Sequence, residues 1–490
     1  MARSSDPPPT TREPVSPMPR VLLGLDAVGR RIGVTADGRG LAWLGVWTTL
    51  VYVGLVFYPD RPYRAAREAA AWAGLVALLS LYALGHLRLR ARPEGAVRVV
   101  VGLFPLLAVA ALCIWPFHSA DLYAYANAGH LEAHYGLHPY AHVPTEVPGW
   151  RHDPMFTDLW VDQVPPYGPL FAHLARGAAW LGHGDLARTV LVFKVVDALA
   201  LGATGALAYT TARRLRRARP DLTLYLLLWS PYLLLHHVAN GHNDLLMGLC
   251  LLLALRLAAD GRATWAPAAL ALGVLVKLVA VVALPFLVAF LVRRQGLRRT
   301  AIGLLVAAAV VALVAGPYLV DAGTVRWAEI GGSLAKPAYS LHAALVDLAH
   351  ALARAVPALA PYEAAFRVVT QALLGAAFLA FVAVRARRAA RRAVYELDDL
   401  VEDTVLALIV LVCVVSSHFG AWYGAMFLPA ALILPEAHPL RRLALLLTCF
   451  ELTVITFVGR ARILDALVMT VLPFLIWRWM ERRAPAVAGP

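Results

Sequence analysis

VVVGLFPLLAVAALCIWPFHSADLYAYANAGH, running from Val99 to His130, is the stretch that decides the fold. Its first part, Val99 to Trp115, carries no charge, and a helix of ~17 residues rises about 26 Å, enough to cross most of a hydrocarbon layer. Runs of this kind recur from Leu41 almost to Trp479, and no equally long polar block interrupts them. With 60% hydrophobic and only 16% charged residues among 490, the chain has too much apolar surface for a water-soluble core. These runs predict an all-α, polytopic integral membrane protein embedded in a lipid bilayer. The four cysteines (Cys113, Cys250, Cys413, Cys449) lie singly inside apolar runs, so neither a disulfide nor a zinc site is expected.

A net charge of +14 points to nucleic acid in a soluble domain, but here the basic residues sit in short connections between apolar runs. The clusters at 86–92, 213–217, 293–299, 385–392 and 441–442 therefore read as cytoplasmic under the positive-inside rule, and no nucleic-acid partner is expected. Residues 1–40, Pro- and Ser-rich without an apolar core, read as a disordered cytoplasmic tail and not a signal peptide. Spans are predicted near 41–58, 68–86, 98–115, 187–209, 221–238, 242–258, 300–320, 363–384, 402–418, 420–435, 440–458 and 461–479, about twelve crossings within one domain, 41–480. A short cytoplasmic tail, 481–490, follows. Both termini then lie inside, and the segments 116–185 and 321–362 lie outside, the first with a lateral helix at PPYGPLFAHLARGAAWL. The run Ala266–Val292 conflicts with this scheme, since one crossing would carry Arg293–Arg299 outside. A broken, re-entrant pair of half-helices resolves the conflict, with its bend near Gly273–Lys277 and Lys277 ~18 Å deep.

Threaded this way, the unusual polar residues collect on the outer side. They are Asp121, Tyr123, Tyr125 and Asn127; Tyr167 in Pro-Tyr-Gly-Pro; His242, Asn243 and Asp244; Lys277; His342; His418, Trp422 and Tyr423; and Arg460 and Arg462. Ionisable groups at membrane depth are costly, so they line a cavity, pair or act on something. A carboxylate and several cations at that face suit a lipid-borne phosphate and a proton transfer. Asp121 is either a carboxylate at the positive end of a helix or a general base, and the tyrosines and Asn127 around it offer the stacking and hydrogen bonds that sugars use. Lys277 either snorkels or pairs with an anionic group, naturally a phosphate. Asn243 or Asp244 reads equally as a helix cap, His418 and the Trp422-Tyr423 pair as interfacial residues, and Arg460 and Arg462 as headgroup anchors. The histidines at 130, 134, 138 and 142 repeat every fourth residue, but three of them lie past the helix with no acidic partner in step, and no metal is expected.

The ordered set Asp-x-Tyr-x-Tyr (121–125), Gly-Leu-His-Pro-Tyr (136–140), Pro-Tyr-Gly-Pro-Leu (166–170), Gly-His-Asn-Asp-x-x-Met (241–247), Gly-x-x-x-Lys (273–277) with Pro285, and Trp-Tyr (422–423) resembles the GT-C superfamily of polyprenol-phosphate-sugar-dependent glycosyltransferases. The match is to the family 87 and polyprenol-phosphomannose-dependent alpha-mannosyltransferases. The resemblance implies a bacterial plasma-membrane enzyme with its active site on the extracytoplasmic face. It implies a polyprenyl-phosphate sugar donor such as polyprenyl-phosphate-mannose, a glycan or glycolipid acceptor, inversion at the anomeric carbon, and no metal or other cofactor. On that pattern Asp121 is the base, and Lys277 with His242, His342 or His418 offsets the leaving phosphate's charge. Tyr123, Tyr125, Asn127, Tyr167, Asn243, Asp244, Trp422 and Tyr423 then bind substrate. The rival from another class is a transporter or flippase of a lipid-linked or small anionic substrate, which also has many spans and a broken helix. Two similar halves are its usual mark, and neither DLYAY nor NGHND recurs here.

Overall fold

The computed structural model describes residues 38–57, 65–91, 93, 95–117, 119–320, 322–334, 339–453 and 462–483. The described residues are helical throughout, with no strand among them. Arg460 and nearly all of the two expected tails lie outside them, as does the side chain of Arg462. Three long helices come first, α1 (Gly38–Val56), α2 (Ala65–Arg90) and α3 (Ala96–Cys113). Two shorter helices, α4 (Asp121–Tyr135) and α5 (Pro169–Gly182), precede α6 (Leu186–Arg214) and α7 (Pro220–Leu228). Pro169 and Pro220 open their helices at the position where a missing N–H costs nothing. Gly136 closes α4 in the left-handed region that an L side chain resists.

Beyond α7 the chain continues through a π-helical stretch, Leu234–Ala239, into α8 (Asp244–Ala259) and α9 (Ala266–Val276). Then come α10 (Leu284–Gln295), α11 (Leu297–Leu319), the lateral helices α12 (Trp327–Leu334) and α13 (Leu341–Ala355), and α14 (Glu363–Arg391). The set ends with α15 (Leu397–Val410), α16 (Pro439–Thr453) and α17 (Leu472–Arg483). Among the described residues nine helices are long and apolar enough to cross a membrane. Their outward sides carry large apolar residues such as Leu305, Leu313, Leu373 and Leu379, each more than 60% exposed, as lipid contact requires.

The bundle has two distinct faces, and the arginines define one of them. Arg217 pairs with Asp398 and its Nε donates to the Ile433 carbonyl at 2.9 Å. Arg214 pairs with Asp260, Arg294 with Glu396, Arg385 with Asp403, and Arg90 with Glu436 at 3.7 Å. Arg441, buried, donates to the carbonyls of Leu432 and Leu434 at 2.7 and 2.9 Å. Exposed pairs of this sort add little stability each, but together they place all five basic clusters on one side. The lateral helices and the loop from 136 to 168 occupy the other.

The break in the Ala266–Val292 run falls where expected. Helix α9 ends at Val276, Lys277 is extended (φ −150°, ψ 119°), and a tight 3-10 stretch, Leu278–Ala283, leads into α10. The two outer ends of this pair meet, because the Ala263 N–H donates to Gln295 Oε1 at 3.3 Å. Both therefore lie on the arginine face, with the bend pointing the other way. Lys277 meets Asp244 at the far end of α8, and the 11 residues of α9 rise about 17 Å at 1.5 Å per residue, close to the ~18 Å expected.

One predicted span is corrected. Residues 420–435 do pass from the face of Trp422 to that of Ile433, yet hold no helix longer than the four-residue turn Leu428–Ala431. Glycines at 420 and 424 and prolines at 429 and 435 oppose a continuous helix. Irregular backbone is tolerated at membrane depth only inside protein, and residues 424–434 are all buried.

Candidate active site

Asp121 is the first residue of α4, directly beyond the end of α3. Its backbone N–H donates to Ser119 Oγ at 3.1 Å. The approach is held from two sides. Lys194 of α6 donates to the free carbonyls of Leu112 and Ile114 at the end of α3, 2.6 Å each, and the Phe117 N–H donates to Asn240 Oδ1 at 2.9 Å. A lysine satisfying terminal carbonyls is a helix cap made by a distant element.

The Asp121 carboxylate, 18% exposed, has Tyr167 and His242 as polar neighbours besides Ser119. Tyr167 donates its hydroxyl to Oδ2 at 3.3 Å and receives the Tyr125 hydroxyl at 3.4 Å, and His242 Nδ1 stands 3.7 Å from the same oxygen. Tyr167 is placed by the bend of the broken helix, since the next residue's N–H, that of Gly168, donates to the Val276 carbonyl at 3.0 Å. A side chain at 168 would collide with the Leu275 backbone, so only glycine fits. Burial raises the Asp121 carboxyl from 3.8 to about 6, against the opposing charge of Lys277 and the hydrogen bonds of Ser119 and Tyr167.

The His242 ring is stacked on Trp422, centroids 3.8 Å apart and planes 10° from parallel. Behind it, His237 Nδ1 and the His242 carbonyl are 2.8 Å apart. Lys277 Nζ lies 2.5 Å from Asp244 Oδ1 and stands 4.0 Å from the Tyr423 ring centroid and 5.9 Å from that of Tyr167. The anionic partner of Lys277 within the protein is thus Asp244, fully buried at the start of α8, and a snorkelling lysine is excluded. The aromatic faces add a cation–π contribution.

Of the residues predicted from sequence, Asp121, Tyr125, Tyr167, His242, Asp244, Lys277, Trp422 and Tyr423 converge. Others do not. Asn127, buried, ties its amide to the loop, donating to the Leu159 carbonyl at 2.8 Å and accepting from the Thr157 N–H at 3.2 Å. His342 pairs with Thr370 Oγ1 of α14 at 3.0 Å, and burial lowers its imidazole pKa. His418 stands at the rim, its ring 5.9 Å from that of Tyr423. Tyr123 packs, half-buried, against the core. Asn243 precedes α8 without a capping bond, which corrects the helix-cap reading for that residue, and its buried amide makes no hydrogen bond among the described residues.

Of the four spaced histidines two, not one, lie within α4, His130 and His134, their rings stacked with centroids 4.9 Å apart. His130 meets Asp153 at 2.8 Å, His142 meets Glu146 at 3.0 Å, and His138 meets the Tyr318 carbonyl at 3.0 Å. Burial would raise the Asp153 carboxyl, but hydrogen bonds from His130, the Met155 N–H and Tyr135 outweigh it and hold it below the usual range. Sequence reasoning missed Lys194, which shares its helix with Asp197, and Glu451, the one charge between Arg442 and Arg460 and so the same signal that singled out Lys277. Glu451 Oε2 accepts the Tyr232 hydroxyl at 2.7 Å and the Gly424 N–H at 3.0 Å.

A carboxyl near pH 6 beside a hydroxyl and an imidazole can take a proton from an alcohol at neutral pH. A partly buried lysine between aromatic rings can stabilise an anion that arrives or develops there. If Asp121 acts in its ionised form, kcat/KM falls as pH drops through about 6, where an unshifted aspartate gives a fall near 4. Since Lys277 opposes the rise, Lys277→Met moves that midpoint upward. A pH–rate profile of both proteins checks the position and the sign.

The family model described as "Alpha-(1->6)-mannopyranosyltransferase, N-terminal domain" matches residues 30–293, which include Asp121, Tyr167, His242, Asp244 and Lys277 but not Trp422, Tyr423 or Glu451. Alpha-(1->6)-mannopyranosyltransferase A of Corynebacterium glutamicum is 27% identical over 176 residues, 35% of each chain. A probable alpha-(1->6)-mannopyranosyltransferase of Mycolicibacterium smegmatis is 30% identical over 189 residues, 37% of this chain and 31% of that protein. Alpha-(1->6)-mannopyranosyltransferase A of Mycobacterium tuberculosis is 30% identical over 225 residues, 44% of this chain and 41% of that one. The chain spans about a third of the length of the first two relatives.

Proposed function

Because the chain belongs to the alpha-(1->6)-mannopyranosyltransferase family, whose model covers more than half of it, we propose that it is a membrane mannosyltransferase. The donor is a polyprenyl-phosphate mannose, and the acceptor is a hydroxyl of a glycan or glycolipid. Asp121 takes the acceptor proton as the oxygen attacks the anomeric carbon. The bond from that carbon to the phosphate oxygen breaks, its electron pair leaves with the polyprenyl phosphate, and the configuration inverts. Lys277 faces the charge gathering on the leaving phosphate, and Tyr167 and His242 orient the base. No metal or other cofactor enters the scheme. The observation that carries this reading is the placing of a carboxyl raised to about 6 and a partly buried cation against one aromatic ring, that of Tyr167.

The test is purified protein in lipid, given radiolabelled polyprenyl-phosphate mannose and an alpha-1,6-linked mannoside acceptor. Acceptor-dependent transfer with inversion is expected. Movement of the donor across vesicles without transfer overturns the enzyme reading in favour of a flippase.

The reaction face is extracytoplasmic in this proposal, following the arginine distribution. Leu297, 72% exposed at the arginine face, and the exposed Thr145 on the opposite side report orientation. In single-cysteine variants, Leu297→Cys is labelled from the cytoplasm and Thr145→Cys from outside by an impermeant maleimide. Labelling of both from one side overturns the two-faced arrangement.

A further inference from the structure

We infer that Glu451 of α16 is a positioning residue for the proposed transfer, an inference that rests on that reading. Its immediate sequence, TCFELTV, shows a lone charge among apolar residues but no partner for it. It is fully buried, and a single oxygen, Oε2, holds two separate segments. One is the turn Tyr423–Met426, through the Gly424 N–H. The other is the segment after α7, through the Tyr232 hydroxyl, whose ring packs edge-on against His236 with centroids 5.0 Å apart.

Both segments end at the same place. Trp422, next to the turn, supplies the ring on which His242 stacks. His237, in the π-helical stretch, holds the His242 carbonyl. His242 therefore sits between two walls that Glu451 fastens together from behind, and it presents Nδ1 to Asp121. The same turn carries Tyr423, whose ring lies under Lys277. Glu451 touches neither Asp121 nor Lys277, but the placing of both partners depends on it. The fit at the clamp is close, since a Cβ on Gly424 would stand 2.7 Å from Glu451 Oε2 and 2.6 Å from Thr448 Cγ2.

The clamp needs an acceptor and not a charge, which gives the test its discrimination. Glu451→Gln keeps a carbonyl oxygen for both donors, whereas Glu451→Leu leaves a buried N–H and a buried hydroxyl without a partner. Misplacement by about an ångström costs on the order of 100-fold in rate. With polyprenyl-phosphate mannose as donor, Glu451→Leu lowers kcat ~10- to 100-fold while KM stays within about threefold. Glu451→Gln stays close to wild type, and Gly424→Ala behaves like Glu451→Leu.

Hydrogen exchange on the full chain in lipid supplies a readout that needs no turnover. Glu451→Leu loses protection in peptides covering 231–243 and 419–427 and keeps it on the arginine face, and Glu451→Gln keeps both. Three results overturn the inference: unchanged exchange in Glu451→Leu, loss of protection everywhere, or a Gln variant as damaged as Leu. A wild-type protein that transfers nothing refutes the mannosyltransferase reading, and the exchange pattern still decides whether the clamp exists.

Discussion

Asp121→Asn is expected to lower transfer by ~100-fold or more, the scale of a lost general base, while the protein remains folded. The substitution is nearly isosteric. The Asn carbonyl still accepts the Tyr167 hydroxyl, and the bond from the backbone N–H to Ser119 is untouched. The stability effect has a definite sign. A carboxyl raised from 3.8 to about 6 by burial opposes folding above pH 6, because the ionised form is disfavoured in the folded state, and this penalty fades as pH falls toward 4. At pH 8 the Asn variant should therefore melt at or above the wild-type temperature. The loss should appear in kcat more than in donor KM, since Asp121 acts on the acceptor proton. Transfer close to the wild-type rate would remove Asp121 from the chemistry. A Tm depressed at pH 8 would instead mean that the carboxylate serves the fold.

The second large effect comes from breaking the Lys277–Asp244 pair. Lys277→Met leaves a fully buried carboxylate without its cation, a change that costs about 3–5 kcal/mol where a buried pair loses one member. This reverses the expectation for a snorkelling lysine, whose neutralisation would stabilise the chain. Adding Asp244→Asn removes the stranded charge, and the double variant should recover most of the lost Tm. Activity then separates two roles. If Lys277 also faces the donor phosphate, the double variant folds but transfers ~10- to 100-fold more slowly, the worth of one charged hydrogen bond of about 1.5–3 kcal/mol. If Lys277 only neutralises Asp244, the double variant regains transfer along with stability. Lys277→Arg keeps the charge but changes its geometry, and it should rescue stability better than turnover. Melting curves and donor-dependence kinetics on the same preparations decide between these outcomes.

Much of the site was legible because its residues break local rules. Asp121 stands directly after an apolar run, and Lys277 interrupts one; both contrasts lie within about twenty residues of sequence. Tyr167 and Tyr125 stand in recognisable motifs, and only the tertiary structure shows that the bond from Gly168 to the broken helix places Tyr167. The residue type of Asn127 suits a sugar, but only the tertiary structure shows its amide bonded to residues 157 and 159 of the loop. Glu451 escaped notice because the two groups that need it, Tyr232 and Gly424, belong to other segments.

The sequence by itself determined that the chain is helical and apolar enough to span a bilayer many times, which face gathers the arginines, that Asp121 opens a helix and that the chain breaks at Lys277. Each depends on hydropathy, charge or helix-forming tendency summed over a short window, and partition into lipid responds to that sum without reference to the rest of the fold. Only the tertiary structure decided that Lys277 faces Asp244, that His242 lies on Trp422, and that 420–435 crosses as buried irregular chain. Those are choices of partner among segments far apart in the chain. A buried charge or an unpaired backbone group is stable only against the one neighbour that packing brings within reach.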